Sequence, residues 1–208
     1  MTRYEPADFD QLTAVVDEIE KQTSAEVVVS IHPQAGGYRD VDYLIGGIFA
    51  LLGLAFIVFN PWTEHAAIAL PIDLFLLALT GALLGTGIPG LRRLLTTQKR
   101  RIRQTRDAAM LEFHRHAVGH TRARTGVLIY LAILERQIEV IADIGILATI
   151  PGSEWSEQLA RLHHVARSHD PKNVLIEEMR SLGDLLARYL PRPDEDLDEL
   201  PNRPRTSA

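Results

Sequence analysis

Two acidic residues are the best candidates for a metal site. Asp143 ends a short β-branched stretch, and Asp170 stands before Pro171 at the start of a helical pattern. Ligands often gather where strands end and helices begin in open α/β sheets. Calcium takes about six to eight oxygen ligands, and the acids near each position are too few to specify such a site. Asp170 also has a simpler interpretation as a helix N-cap, so both residues are weak metal candidates.

Three histidines lie near the end of one predicted helix: His114, His116 and His120. His116 and His120 are four residues apart, share a helix face and could hold a metal together with a carboxylate. Glu112 falls two residues before His114, on a different face. A surface cluster near the negative end of the helix is the interpretation that the spacing favours. The same interpretation applies to His163, His164 and His169.

The sequence assigns no catalytic residue. Ser153, Ser156 and Ser168 lack the glycine elbow of a serine nucleophile. The chain contains no cysteine, which excludes cysteine catalysis, disulfides and thiolate zinc sites. A phosphatase would need a clamp of arginines around the phosphate. Arg122 and Arg124 could supply one, but their segment reads as a solvated connecting loop.

Gly85–Gly90 fits the G-x-G-x-x-G pattern of dinucleotide-binding proteins. That pattern needs a preceding strand and a following helix whose free N–H groups hold the pyrophosphate. Here it ends a long apolar run and contains Pro89, so the glycines predict a helix end rather than a dinucleotide site. The net charge of -5 gives no case for binding nucleic acid.

Two apolar runs, residues 43–59 and 66–89, contain no Lys, Arg or Glu and are separated by residues 60–65. A bilayer core needs about 20 apolar residues of helix, so the runs predict a transmembrane hairpin with the lipid bilayer as its partner. The alternative is a pair of buried helices in a soluble core. Apolar residues all round each run favour the membrane. Asp73, the one formal charge inside the runs, follows Pro71 near the start of its helix, within reach of the interface.

Basic residues set the predicted orientation. The turn between the runs has no Lys or Arg. Seven basic residues follow the second run: Arg92, Arg93, Lys99, Arg100, Arg101, Arg103 and Arg106. The positive-inside rule then places both termini in the cytoplasm and the hairpin in the cell (inner) membrane, with Trp62 as an interfacial anchor. The basic residues could also attract anionic headgroups, but a topology signal alone is favoured. Residues 1–39 show no pattern of a secretory signal peptide.

Hydrophobic periodicity predicts an α/β layer structure, with a helix-covered mixed sheet. The strand Gly126–Leu134 is apolar without alternation, as expected at the centre of a sheet. Residues 138–142 should pair with it antiparallel, and Glu26–His32 parallel. The remaining elements are helices over Asp8–Thr23 (capped by Asp8), Arg101–Val118, Ser153–Ser168 (capped by Ser153) and Asp170–Tyr189. The spacing of apolar residues in the second of these helices predicts an inner face made of Ile102, Ala109, Met110, Phe113 and Ala117.

The predicted domain boundaries follow from these elements. Residues 1–42 and 90–190 are the two parts of one cytoplasmic domain, and residues 43–89 are the hairpin inserted between them. Residues 191–208 form a Pro-rich acidic tail that we expect to be disordered.

Several stretches of the chain resemble the TPM domain family, the domain shared by thylakoid, photosystem and nematode membrane proteins and by many bacterial ones. They are Thr23–Val29, Thr121–Tyr130, Leu134–Arg136, Val140–Ile146 and Asp198–Asn202. The last resembles the ending of a bacterial subgroup with a membrane hairpin inside the domain. The resemblance implies a Rossmann-like, membrane-associated domain. Many family members carry a signal peptide and face outward, and this chain departs from them.

The family label also carries a claimed acid phosphatase activity for a plant member and calcium binding in some members. Neither comes with a motif that can be placed on residues of this chain. We therefore expect a non-catalytic binding or accessory module for a membrane protein complex. A weak metal-dependent acid phosphatase-like hydrolase is the alternative, with calcium as the cofactor that the resemblance implies.

Overall fold

A computed structural model describes residues 5–60, 69–193 and 204–206. The chain divides into two compact units, one of residues 1–35 with 101–208 and the other of residues 36–100. The first, the α/β unit, contains the sheet, and the second, the helical unit, contains the two long apolar helices. The elements are α1 (Pro6–Glu20), β1 (Glu26–His32), α2 (Arg39–Phe59), α3 (Leu70–Gly87), α4 (Pro89–Leu95), α5 (Gln98–Arg115), β2 (Gly126–Ala132), β3 (Gln137–Ala142), α6 (Ile144–Thr149), α7 (Gly152–Val165), α8 (Pro171–Tyr189) and β4 (Arg205–Thr206).

The sheet has the strand order β3-β2-β1-β4. β1 pairs parallel with β2 over its whole length, from Glu26 opposite Gly126 to His32 opposite Ala132. β2 pairs antiparallel with β3. The mixed sheet and both strand directions are therefore confirmed. Every residue of β1 and β2 is buried, as expected for strands covered on both faces.

Alternate side chains of these strands enter two separate cores, because successive residues of a strand point to opposite faces. On one face, Val27, Val29 and Ile129 pack with the apolar sides of α1, α7 and α8. On the other face, Val28 and Leu128 join a smaller cluster with Ala109 and Phe113 of α5. A single long helix thus covers the second face.

Two predicted caps are corrected. α1 begins at Pro6, so Asp8 is its third residue; its carboxylate accepts the Glu5 N–H at 2.6 Å. Ser153 is not a cap, because Pro151 occupies that position and its carbonyl accepts the Trp155 N–H at 3.0 Å. Asp170 does cap α8, accepting the Asn173 N–H at 3.4 Å.

The predicted inner face of α5 was partly wrong. α5 begins after Thr97, whose hydroxyl accepts the Arg100 N–H at 3.4 Å. Ile102 and Met110, predicted to face inward, are 41% and 46% exposed. α5 instead buries Thr105, Ala109, Glu112 and Phe113, so its inner face is small and partly polar. After α5, Ala117 has a left-handed backbone (φ 54°), and a 3-10 turn at residues 118–120 leads towards β2.

Part of the C-terminal segment belongs to the sheet, which corrects the prediction of a wholly disordered tail. Arg205 and Thr206 pair parallel with Ser30 and Ile31 of β1. Earlier in the segment, Pro191 bridges Thr23. Arg205 and Thr206 thus cover part of the edge of β1 that faces away from β2. Residues 194–203, which include Asp198–Asn202, lie outside the described residues.

Candidate functional site

α2 and α3 are long and apolar enough to cross a membrane. They have 21 and 18 residues, and only 22% and 11% of their most apolar segments is buried within the protein. The core helix of a soluble protein is mostly buried, and both fractions are well below that.

Large apolar side chains cover the outside of this helix pair. Phe59 is 83% exposed, and Leu51 and Phe75 are each 67% exposed. They belong to a larger set of exposed side chains along both helices: Tyr43, Leu44, Ile48, Leu52, Phe56, Val58, Ile72, Leu76, Leu79, Leu83 and Leu84. An exposed apolar surface of this extent marks a site of contact with a membrane or with another protein.

Small residues form the contact between α2 and α3. A Cβ added to Gly46 would lie 2.5 Å from the carbonyl oxygen of Ala78, and one added to Gly81 would lie 3.0 Å from Cα of Gly46. Gly85 packs against Ile45 in the same way. The contacts run in opposite chain directions, so the helices are antiparallel. Close approach at small residues is the mode by which helices associate in bilayers.

Two arginines each form a bidentate pair with an aspartate at the start of α2. Arg92 donates from Nε and Nη2 to the two carboxylate oxygens of Asp42, at 2.8 and 2.6 Å. Arg100 donates to Asp40 at 2.5 and 2.8 Å and lies 5.6 Å from the ring centre of Tyr38. Bidentate pairs of this kind fix geometry as well as charge. They tie the residues after α3 to the start of α2.

Gly85–Gly90 spans the end of α3 and the start of α4. α3 ends at Gly87 and α4 begins at Pro89, so a helix and not a strand directly precedes the motif. The geometry is therefore that of a helix end, as predicted, and lacks the strand that a dinucleotide site requires. Asp73 lies in the first turn of α3, also as predicted. Trp62 lies outside the described residues.

Asp143 has a structural role. Its carboxylate accepts two bonds from the Arg124 guanidinium, at 2.8 and 3.0 Å, and caps α6 through the Ile144 N–H at 2.7 Å. The hydrogen bonds from Arg124 hold the pKa of Asp143 below its ordinary value. Arg124 thus neutralises Asp143, and the side chains of Arg122 and Arg124 are both exposed. The two arginines do not form a clamp around an open position.

The structure does not bring the metal candidates together. Asp143 caps α6 and Asp170 caps α8. Among residues 5–60, 69–193 and 204–206, no group of three or more His, Asp or Glu side chains is arranged to hold a metal ion. His116 contacts Glu112, with Nε2 2.6 Å from the carboxylate oxygen.

The sequence analysis did not identify a buried polar cluster that lies under α5. Ser30 Oγ lies 2.8 Å from His32 Nε2, and the His32 ring stacks on Tyr130 with 4.8 Å between ring centres. Burial lowers the pKa of His32, against the opposing charge of Glu112, and burial also raises the pKa of Tyr130. The sequence signal was a polar residue at alternate positions of an otherwise apolar strand. Ser30 is fully buried, so the cluster offers no open nucleophile.

Comparison with known proteins supports the fold but names no activity. No family model matches the chain, and no curated protein is similar to it. The NMR structure of the BA42 protein from the psychrophilic bacterium Bizionia argentinensis is similar in fold, with a TM-score of 0.60. The two chains are 17% identical, and the match covers 99% of this chain and 97% of BA42.

Proposed function

We propose that this protein is a membrane-anchored binding module. In this proposal α2 and α3 span the cell membrane as a hairpin, and the α/β unit is a non-catalytic accessory domain of the TPM type for a membrane protein complex. The observation that carries the proposal is the inverted packing of the helical unit, with glycines inside and large apolar side chains outside. Such a surface is stable in lipid and unstable in water.

The orientation is part of the same proposal. The residues that follow α3 are rich in arginine, and this flank would lie in the cytoplasm together with both termini. Pairing of Arg92 and Arg100 with aspartates does not weaken the signal, because Asp and Glu contribute little to the positive-inside rule.

Single cysteines test the topology directly, because the chain has none of its own. Two positions are suitable: Asn60, which follows the last residue of α2, and Asp184, which is exposed on α8. In intact cells, a membrane-impermeant maleimide should label Asn60→Cys from outside and Asp184→Cys only after permeabilisation. Reversed labelling would contradict the orientation, and release of the protein by alkaline carbonate would contradict the membrane anchor.

The accessory role is tested by purification and by assay. Extraction in mild detergent should give a complex with a stoichiometric partner, whereas an isolated monomer would contradict a binding module. The hydrolase alternative predicts turnover of a generic phosphate ester with calcium or magnesium. We expect a rate below about 1 per second, the low end for enzymes, unchanged in the double variant Asp143→Ala and Asp170→Ala. A faster rate that this variant loses would establish the alternative.

A further inference from the structure

α5 carries a row of cations on its outer face. Lys99, Arg103 and Arg106 are spaced by four and three residues, which places them on one side of a helix, and all three are exposed. We call these three residues the basic stripe. Met110, four residues after Arg106, continues the same face and is 46% exposed.

The basic stripe differs from the arginines at the base of the hairpin. Arg92 and Arg100 each hold an aspartate in a two-pronged contact. By contrast, within the described part of the chain no hydrogen bond or ion pair involves the side chains of Lys99, Arg103 or Arg106. The acids near the stripe are Asp107, exposed on the next position of α5, and Glu139, which Arg106 influences only through space.

Helix stability does not explain these charges. The first turn of α5 contains no acidic residue, and cations near a helix N-terminus oppose the helix dipole. Ala109 and Phe113 of α5 already supply the contact with the sheet. The stripe is thus an unneutralised cationic surface on a helix whose packing is satisfied elsewhere.

The position of the basic stripe in the chain limits what it can contact. Arg100, one position after Lys99, is bonded to Asp40 in the first turn of α2 and to the carbonyl of Gly37. At about 1.5 Å of rise per residue, Arg103 and Arg106 lie about 4.5 and 9 Å further along the helix from Arg100. If α2 enters the bilayer, Lys99 and Arg100 lie beside its first turn, and Arg103 and Arg106 follow on the same helix.

We propose that the basic stripe binds the phosphates of anionic phospholipids on the cytoplasmic leaflet. This inference rests on the proposed membrane anchor and adds a ligand class and a site to it. Each Lys or Arg near an anionic surface contributes up to about fivefold in binding. The three residues together would favour the lipid-bound state of α5 by up to about a hundredfold.

The test uses the full chain with Met110→Cys, labelled with an environment-sensitive fluorophore and reconstituted in nanodiscs. Discs of phosphatidylcholine alone are compared with discs that contain about one third phosphatidylglycerol. The emission should shift to the blue only in the anionic discs, and high salt should reverse the shift because it screens surface charge. A label at Glu177→Cys, exposed on α8, should report no difference.

Matched variants test whether the shift in emission depends on the basic stripe. Changing Lys99, Arg103 and Arg106 to Gln should abolish the shift. Changing Arg167, Arg180 and Arg188 to Gln removes the same charge from exposed positions after α7 and on α8 and should preserve it. The swap Lys99→Arg, Arg103→Lys and Arg106→Lys should also preserve it, which guards against a folding effect of the Gln variant.

The outcomes separate the two proposals. A hairpin that fails to insert in either disc overturns the membrane anchor and this inference with it. A hairpin that inserts with the same emission in both discs, or a shift that survives the Gln variant, overturns this inference alone. A shift caused by inorganic phosphate or short duplex DNA in phosphatidylcholine discs would also overturn it, because lipid headgroups would then not be the ligand.

Discussion

The helical unit and the α/β unit distribute their side chains in opposite ways. In the helical unit, glycines line the contact between α2 and α3, while Phe59 and Phe75 point outward. In the α/β unit, Val127 and Leu175 are fully buried and the outer faces of α1, α7 and α8 are polar. Apolar residues are abundant in both units, so composition alone does not separate them. The position of the large side chains does, and it indicates the solvent that each unit requires.

The largest expected effect is the loss of the α/β core through Ile129→Asp. Ile129 is fully buried in β2, between Val29 of β1 and Val140 of β3. An unpaired charge there costs several kcal/mol, enough to unfold a marginally stable domain. Thermal unfolding followed by Trp155 fluorescence should lose its cooperative transition. Ile144→Asp, at a 64% exposed position, should keep it. A transition near that of the parent in Ile129→Asp would show that β2 is not central.

The next effect concerns the charge pair of the helical unit. Asp42→Asn removes the carboxylate charge that faces Arg92, at a site where the side chains of Asp42 and Arg92 are only 7% and 16% exposed. Removing one partner of a buried ion pair costs about 3 to 5 kcal/mol. The thermal midpoint in detergent should fall clearly. Asp40→Asn breaks the matching pair with Arg100, but the Asp40 side chain is 61% exposed, so its midpoint should barely change. Equal shifts in the two variants would contradict the difference in burial.

Close packing of the two helices is tested by neighbouring glycines. A Cβ at Gly46 meets the backbone of α3, whereas one at Gly47 meets nothing within 4 Å. Gly46→Leu should destabilise the pair by about 1 to 3 kcal/mol through overpacking, and Gly47→Leu should be neutral. Spin labels at Tyr43→Cys and Leu84→Cys would report a broadened distance distribution in the first variant only. Identical distributions would mean that the helices do not depend on this contact.

The smallest effect is the pH dependence of the α/β unit. Burial lowers the pKa of His32 from 6.5, with Glu112 acting in the opposite direction and His116 and Arg115 in the same direction. The unfolded chain therefore binds a proton more readily, and the stability contributed by neutral His32 is lost as pH falls below about 6.5. Unfolding by denaturant at several pH values should show less loss on acidification in His32→Gln than in the parent. An unchanged slope would contradict the role of His32.

Strand pairing was predictable because it depends on local patterns. β1 is a β-branched run and β2 an apolar run without alternation, and each of these signals needs only adjacent residues. The antiparallel partner of β2 followed from a short turn. Asp170 was predictable for the same reason, since its role as a cap depends on residues three positions away.

Contacts between distant residues were not predictable. Asp42 meets Arg92 across 50 positions, and Arg100 meets Asp40 across 60. The inner face of α5 was misread because hydrophobicity assigned Ile102 and Met110 to it, while the second core accepts Ala109 and the polar Thr105 and Glu112. Glu112 was compared with His114, although it contacts Arg115 and His116, three and four residues after it. The two-residue β4 has no periodicity to detect.

During synthesis of this chain, β1 is made well before the strand with which it pairs over its whole length. Glu26 pairs with Gly126, so a ribosome adding about 5 to 20 residues per second needs several seconds to produce the partner. β4, which pairs with β1 through Arg205 and Thr206, is made only after β2. During that interval the emerging chain also contains α2 and α3. A β-branched segment that waits unpaired is exposed to aggregation and to chaperones. The order of synthesis therefore leaves β1 without its partner strand until β2 has been made.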